Sequence, residues 1–158
     1  MNKKDDRPTF YHQNDKGKPI RAGGVLFYKL DKDAYKLLLI YSRNNYEDFG
    51  GCTDNIDKNI KETVSREVAE ESNFVFSQKF VQDKLNDEKS VYITKSKYIL
   101  YFIELKEDYD PNIFGDKEHH DGFDRTVEWI PYSEFDDLKL NWRLKNWTVS
   151  NYMKSLFI

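Results

Sequence analysis

The sequence predicts a single α/β domain, and three observations carry that expectation. Two apolar, β-rich runs, residues 22–30 and 35–43, are separated by a short polar Asp-Lys-Asp-Ala stretch, as in a hairpin of antiparallel strands. Residues 57–73 place apolar side chains at helical spacing, and residues 90–105 form the most strand-like run in the chain. At 158 residues the chain has the length of one domain that buries a real core, and 39% hydrophobic with 16% aromatic residues indicates packing rather than disorder.

Taken in order, the first twenty residues are polar, carry Pro8 and Pro19 and show no period, so residues 1–20 read as an arm or an irregular edge and 21–158 as the domain. After the hairpin, residues 46–51 form a shorter extended piece ending in Gly50 and Gly51, which permit a tight turn or close approach of a ligand to the backbone. A helix follows, opened by Asp57 or Asn59 and closed at Asn73. Residues 76–85 fit a short helix or an irregular strand, and residues 90–105 fit two strands or one long bent one. A polar loop, 106–125, is long enough that a compact domain seldom carries it without use. Residues 126–130 form a short strand, and 131–138 a helix opened by Pro131. Val149, Tyr152, Met153 and Leu156 mark the buried face of a last helix.

The central helix carries Glu67, Glu70 and Glu71 within five residues, and three- and four-residue spacing puts Glu67 beside both of the others. A solvated ladder, Glu62–Arg66–Glu70 at i, i+4, i+8, accounts for Glu70 without function. It does not account for Glu71, which falls on the apolar stripe of Ile60, Val64 and Val68. Like charges at i, i+4 cost only ~0.2–0.5 kcal/mol on an exposed helix. The penalty grows on burial and asks for a compensating cation, a need that a hard divalent ion such as Mg²⁺ meets with oxygen ligands.

The run Arg66-Glu-Val-Ala-Glu-Glu-Ser-Asn-Phe74 behind Gly50 and Gly51 resembles the Nudix box, G-x5-E-x7-R-E-U-x-E-E-x-G-U, with U a bulky apolar residue. Arg66, Glu67, Val68, Glu70, Glu71 and Phe74 match its second half. The first half departs from it. One inserted residue makes Gly51 the box glycine and puts Asp57, one methylene shorter, in the place of the first glutamate, while Asn73 replaces the late glycine. The likeness extends loosely over residues 21–140 and implies the Nudix fold, a mixed β-sheet sandwiched between helices.

That resemblance implies a pyrophosphohydrolase using Mg²⁺ or Mn²⁺ to cleave a nucleoside diphosphate-linked substrate: capped RNA, a dinucleoside polyphosphate, a nucleotide sugar or a nucleoside triphosphate. It implies Glu67, Glu70 and Glu71 as metal ligands, Arg66 as the residue that orients them by pairing with Glu70, and Gly50 and Gly51 as close neighbours of the substrate. Arg43, at the end of a strand aimed toward the box, is a candidate phosphate contact. A further ligand or base is expected from the 106–125 loop. Glu118 is the first choice among Glu118, His119, His120, Asp121 and Asp124, since a carboxylate suits Mg²⁺ and accepts a proton. The alternative is a box-degraded module that binds a nucleotide or a protein without turnover.

Trp142, Arg143, Lys145 and Trp147 alternate base and aromatic, which suits stacking on nucleotides, although tryptophans entering a terminal helix commonly pack on the core. A net charge of −3 gives no global attraction to nucleic acid. One cysteine, Cys52, excludes an internal disulfide and disfavours zinc, and the absence of a long apolar run disfavours a membrane span, so an intracellular protein is expected.

Overall fold

A computed structural model describes residues 6–158. Its centre is β3 (Ala22–Asp31), whose alternating side chains feed two cores. Val25 and Phe27 face one side, Leu26 and Tyr28 the other. β4 (Ala34–Ser42) returns antiparallel after Lys32 and Asp33, both at positive φ, so the turn is shorter than the polar stretch that announces it. A second turn with Arg43 and Asn44 at positive φ leads to β5 (Asn45–Glu47) and then β6 (Phe49–Cys52), which pairs back on the first half of β3.

Residues 90–105 form two strands, β7 (Ser90–Ile93) and β8 (Tyr98–Glu104), with β8 parallel to β3. β9 (Thr126–Pro131) lies antiparallel to β4. The sheet is therefore mixed. Helices α1 (Ile60–Glu71) and α2 (Gln78–Lys84) bury Val64, Val68 and Val81 on one face, and α3 (Trp147–Leu156) buries Val149 and Met153 on the other. Each such aliphatic side chain contributes about 1.5–3 kcal/mol. The predicted α/β sandwich is the architecture found.

Several local readings sharpen. The 76–85 segment forms a short helix over Gln78–Lys84, with Ser77 as its N-cap accepting from the Phe80 N–H. Residues 132–137 form a 3₁₀ turn, with Pro131 still in β9. The amino-terminal segment is the main correction. Described residues of the expected arm pair as β1 (Phe10–Tyr11) and β2 (Pro19–Ile20), His12 stacks on Tyr92, the Tyr92 hydroxyl donates to the Pro19 carbonyl, and Ile20 is in the core. Scattered prolines and polar residues hide this ribbon because each of its strands is two residues long. The first five residues of the expected arm lie outside the described part.

Candidate active site

The helix α1 is built at both ends by local rules. Asn59 is its N-cap, accepting from the Glu62 N–H at 2.9 Å, and the Glu62 carboxylate reaches back to the Lys58 N–H at 2.8 Å. Glu62 thus caps the helix and does not extend a charge ladder. At the other end Asn73 and Phe74 are left-handed, with the Phe74 N–H bonded to the Ala69 carbonyl and the Asn73 N–H to that of Glu70, a Schellman closure.

Asp57, the other candidate cap, has a different task. Its two oxygens accept from Arg66 Nε at 3.0 Å and Nη2 at 2.9 Å, and from the Thr63 hydroxyl at 2.7 Å. Burial raises the Asp57 pKa, but these bonds overcome it and hold the carboxyl below its usual range. The bidentate bond to Asp57 likewise drives the Arg66 pKa up. The clamped guanidinium then donates to Glu67 at 3.0 Å and to the Cys52 carbonyl at 3.2 Å, with Glu70 farther away at 3.6 Å. The sequence reading paired Arg66 with Glu70. The geometry makes Asp57 its anchor and Glu67 its nearer carboxylate on the helix.

Glu67 and Glu71 line a cavity of about 510 Å³ between α1, β6 and the 106–125 loop. Gly50 and Gly51 lie in extended strand, and their smallness serves packing rather than a turn. A methyl on Gly51 would collide with the Glu67 carboxyl, and one on Gly50 with the Tyr98 hydroxyl. The Gly50 N–H donates to Glu71 at 3.0 Å. Burial pushes the Glu71 carboxyl well above its usual range against that bond, helped by the charges of Glu47, Asp48 and Glu67. Glu67 is raised too, by burial first and then by Glu70 and Asp121, with Arg66 opposing. Glu70 is not among the described residues lining the cavity; its carboxylate stands 3.8 Å from His120 Nε2.

Opposite the helix, a tight turn closed by the Lys117–Asp124 bridge presents a buried Glu118 to the same cavity. Its Oε2 accepts from the Asp121 N–H at 3.3 Å. Burial, then the Asp121 side chain, pushes its pKa up to about 7. Asp121 also lines the cavity; His119 and His120 are exposed, and exposed Asp124 stands 3.9 Å from Lys117. Gly115 and Gly122 have positive φ as hinge residues would, yet Lys117 and His119 between them are hydrogen-bonded to the side chain of Asn73, just past the end of α1.

Arg43 reaches the cavity with its guanidinium 4.6 Å from the Phe123 ring. The expected nucleotide-stacking surface of residues 142–147 does not form as one face. Arg143 turns inward to Asp48 at 3.0 Å and lies 4.5 Å over the Tyr98 ring, while Tyr98 donates to the same Asp48. Trp142 stays exposed on the cavity wall, and Lys145 and Trp147 are exposed elsewhere. Sequence reasoning missed Asp48, Tyr98 and Arg125. Arg125 is buried, lines the cavity and donates to the carbonyls of Glu71 and Phe114. No local period marks these three, since each acts across the fold.

Among the described residues, no three Asp, Glu, His or Cys groups converge as a ready-made metal site. Mg²⁺ is usually held by one or two carboxylates together with waters and substrate phosphates. Glu67 and Glu71, both lining the cavity and both holding protons too tightly because of burial and unbalanced negative charge, fit that requirement. No described helix is long and apolar enough to cross a membrane.

No family sequence model matches the chain, and no curated protein does. Solved structures do. The fold superposes on an Ap4A hydrolase of C. elegans with TM-score 0.56 at 13% identity, over 87% of this chain and 96% of that one. It superposes on a Listeria monocytogenes protein described as a Nudix hydrolase with TM-score 0.50 at 13% identity, over 82% and 89%. The chain has the Nudix fold.

Proposed function

We propose that this Nudix-fold chain is a metal-dependent pyrophosphohydrolase acting on a nucleoside diphosphate-linked substrate. The observation that carries the reading is that Glu67 and Glu71, from one helix, and Glu118, from the 106–125 loop, all line a single cavity. In this reading Glu67 and Glu71, with Glu70 at the edge, hold Mg²⁺ or Mn²⁺. When bound, such an ion neutralises phosphate oxygens and acidifies the attacking water.

The remaining work falls to the chain. Glu118, with a pKa near neutrality, accepts the proton of a water that attacks phosphorus from the side opposite the helix. The P–O bond of the bridge breaks, and two phosphate-ended products leave. Arg66, fixed by Asp57, keeps Glu67 oriented. Arg43 supplies positive charge for the phosphate chain, and Trp142 and Phe123 supply apolar faces for a base. The dinucleoside polyphosphate named for the C. elegans neighbour is the first compound to test, followed by capped RNA, nucleotide sugars and nucleoside triphosphates.

Incubation of the protein with each compound and Mg²⁺ or Mn²⁺, with products identified by mass, tests the proposal. Cleavage within the pyrophosphate of at least one class is expected. Tight nucleotide binding by calorimetry with no product from any class would make the chain a binding module instead.

A further inference from the structure

The Nudix box carries glycine at the position of Asn73, where a left-handed residue closes the helix. Backbone conformation alone would accept glycine there, and asparagine tolerates it. The Asn73 side chain nevertheless uses its whole hydrogen-bonding fork on the facing loop. Nδ2 donates to the Phe114 carbonyl at 2.7 Å and the Lys117 carbonyl at 2.9 Å, and Oδ1 accepts from the His119 N–H at 2.9 Å. These contacts span 41 to 46 residues of sequence, and two of them bracket Glu118 on either side.

We infer that Asn73 is a positioning residue: its amide clamps the loop to the carboxyl end of α1 and thereby holds Glu118 in the cavity opposite Glu67 and Glu71. The inference rests on the proposed role of Glu118 for its kinetic consequence but not for its structural one. A loop of this length would otherwise sample many conformations, and an ordered base cannot be delivered by a disordered strap. Asn73 fixes the 117–119 end, while Arg125 separately holds the Phe114 end through its bond to that carbonyl. Gly115, between them, has positive φ and could swing if the first tether were cut. The carboxyl end of the helix that supplies Glu67 and Glu71 therefore also sets the place of Glu118.

Asn73→Gly restores the box residue, suits the left-handed backbone and removes only the amide, so the variant should melt within about 5 °C of the parent. Hydrogen exchange at the His119 amide should accelerate by about tenfold or more, with the amides of Glu118 and Gly122 following. With a turned-over substrate, kcat should fall by between about tenfold and about a hundredfold at nearly constant KM. In the Glu118→Gln background the same substitution should change kcat by less than about twofold, since its target is already gone. Asn73→Asp, which keeps the acceptor but sets a carboxylate against two carbonyls, should behave as the glycine variant does. Unchanged exchange at His119 in both variants would overturn the clamp. Equal losses of kcat in the parent and Glu118→Gln backgrounds would overturn its action through Glu118. Should the parent turn over no substrate, the proposed function fails while hydrogen exchange still decides the clamp.

Discussion

The two walls of the cavity are held in place by different means. On the helix wall, Glu67 and Glu71 sit within a frame of short-range bonds: an Asn59 cap, a Schellman closure, and Arg66 clamped by Asp57 nine residues away. On the facing wall, Glu118, Arg43, Arg143 and Trp142 come from a loop, a turn and the carboxyl-terminal segment. The bonds that fix them reach much farther, from Asn73 to Lys117 and from Arg143 to Asp48. In the proposed reading, local geometry frames the carboxylates of the helix wall, and long-range contacts place the groups that would face the rest of a substrate.

If the helix wall is the chemical platform, damage there should be the most severe. Glu67→Gln or Glu71→Gln should lower turnover by about a thousandfold or more, each removing a ligand charge worth several kcal/mol in the transition state. Metal-free Glu71→Gln should melt no lower than the metal-free parent, because it also relieves repulsion with Glu47, Asp48 and Glu67. Parental turnover by both variants would break the comparison. Asp57→Ala tests the frame itself. It leaves Arg66, whose side chain is only 14% exposed, without its main partner, and denaturant unfolding should register a loss of about 3–5 kcal/mol.

The facing wall should respond more gradually and with pH. A Glu118 base must be deprotonated, so kcat should rise as pH increases through about 7, and Glu118→Gln should both slow the reaction and flatten that limb. Stability should move the other way. Glu67, Glu71 and Glu118 all bind protons more tightly folded than unfolded, so the metal-free protein gains nothing from their ionisation and loses stability as pH climbs from the ordinary carboxyl range through about 7. Melting curves at pH 5 and pH 8, with and without Mn²⁺, check this. The metal should recover much of the loss at the higher pH.

The same contrast explains what the sequence could reveal. The period of Ile60, Val64 and Val68, broken by Glu71, identifies the helix wall because an α-helix converts spacing directly into a shared face. Asp57 was reachable through one inserted residue, and its bidentate bond to Arg66 supports that alignment. The main strands were legible as continuous apolar, β-rich runs, because both faces of β3 and β8 are buried. Asp48 and Tyr98 were not, since their short hydrogen bond joins residues fifty positions apart with no repeating signal. Glu118 could be chosen from its loop only by chemistry, and the two-residue strands of the amino-terminal ribbon carry too little pattern to be read.

The finest comparison lies within the variable wall, between two tryptophans five residues apart. Trp142 is 56% exposed and lines the cavity, whereas Trp147, at the start of α3, is 73% exposed and does not. Both leave a large apolar face in water. Only Trp142 is near enough to the arginines and carboxylates to meet a nucleotide base held by its phosphates. Stacking of a base on an aromatic ring contributes about 1–3 kcal/mol, so Trp142→Ala should raise KM by about five- to a hundredfold with little change in kcat. Trp147→Ala should leave both constants within about twofold of the parent, as expected for a surface substitution. Equal effects of the two substitutions would mean that the base is recognised along the carboxyl-terminal surface and not at the cavity wall, and would widen the binding site beyond the residues that line the cavity.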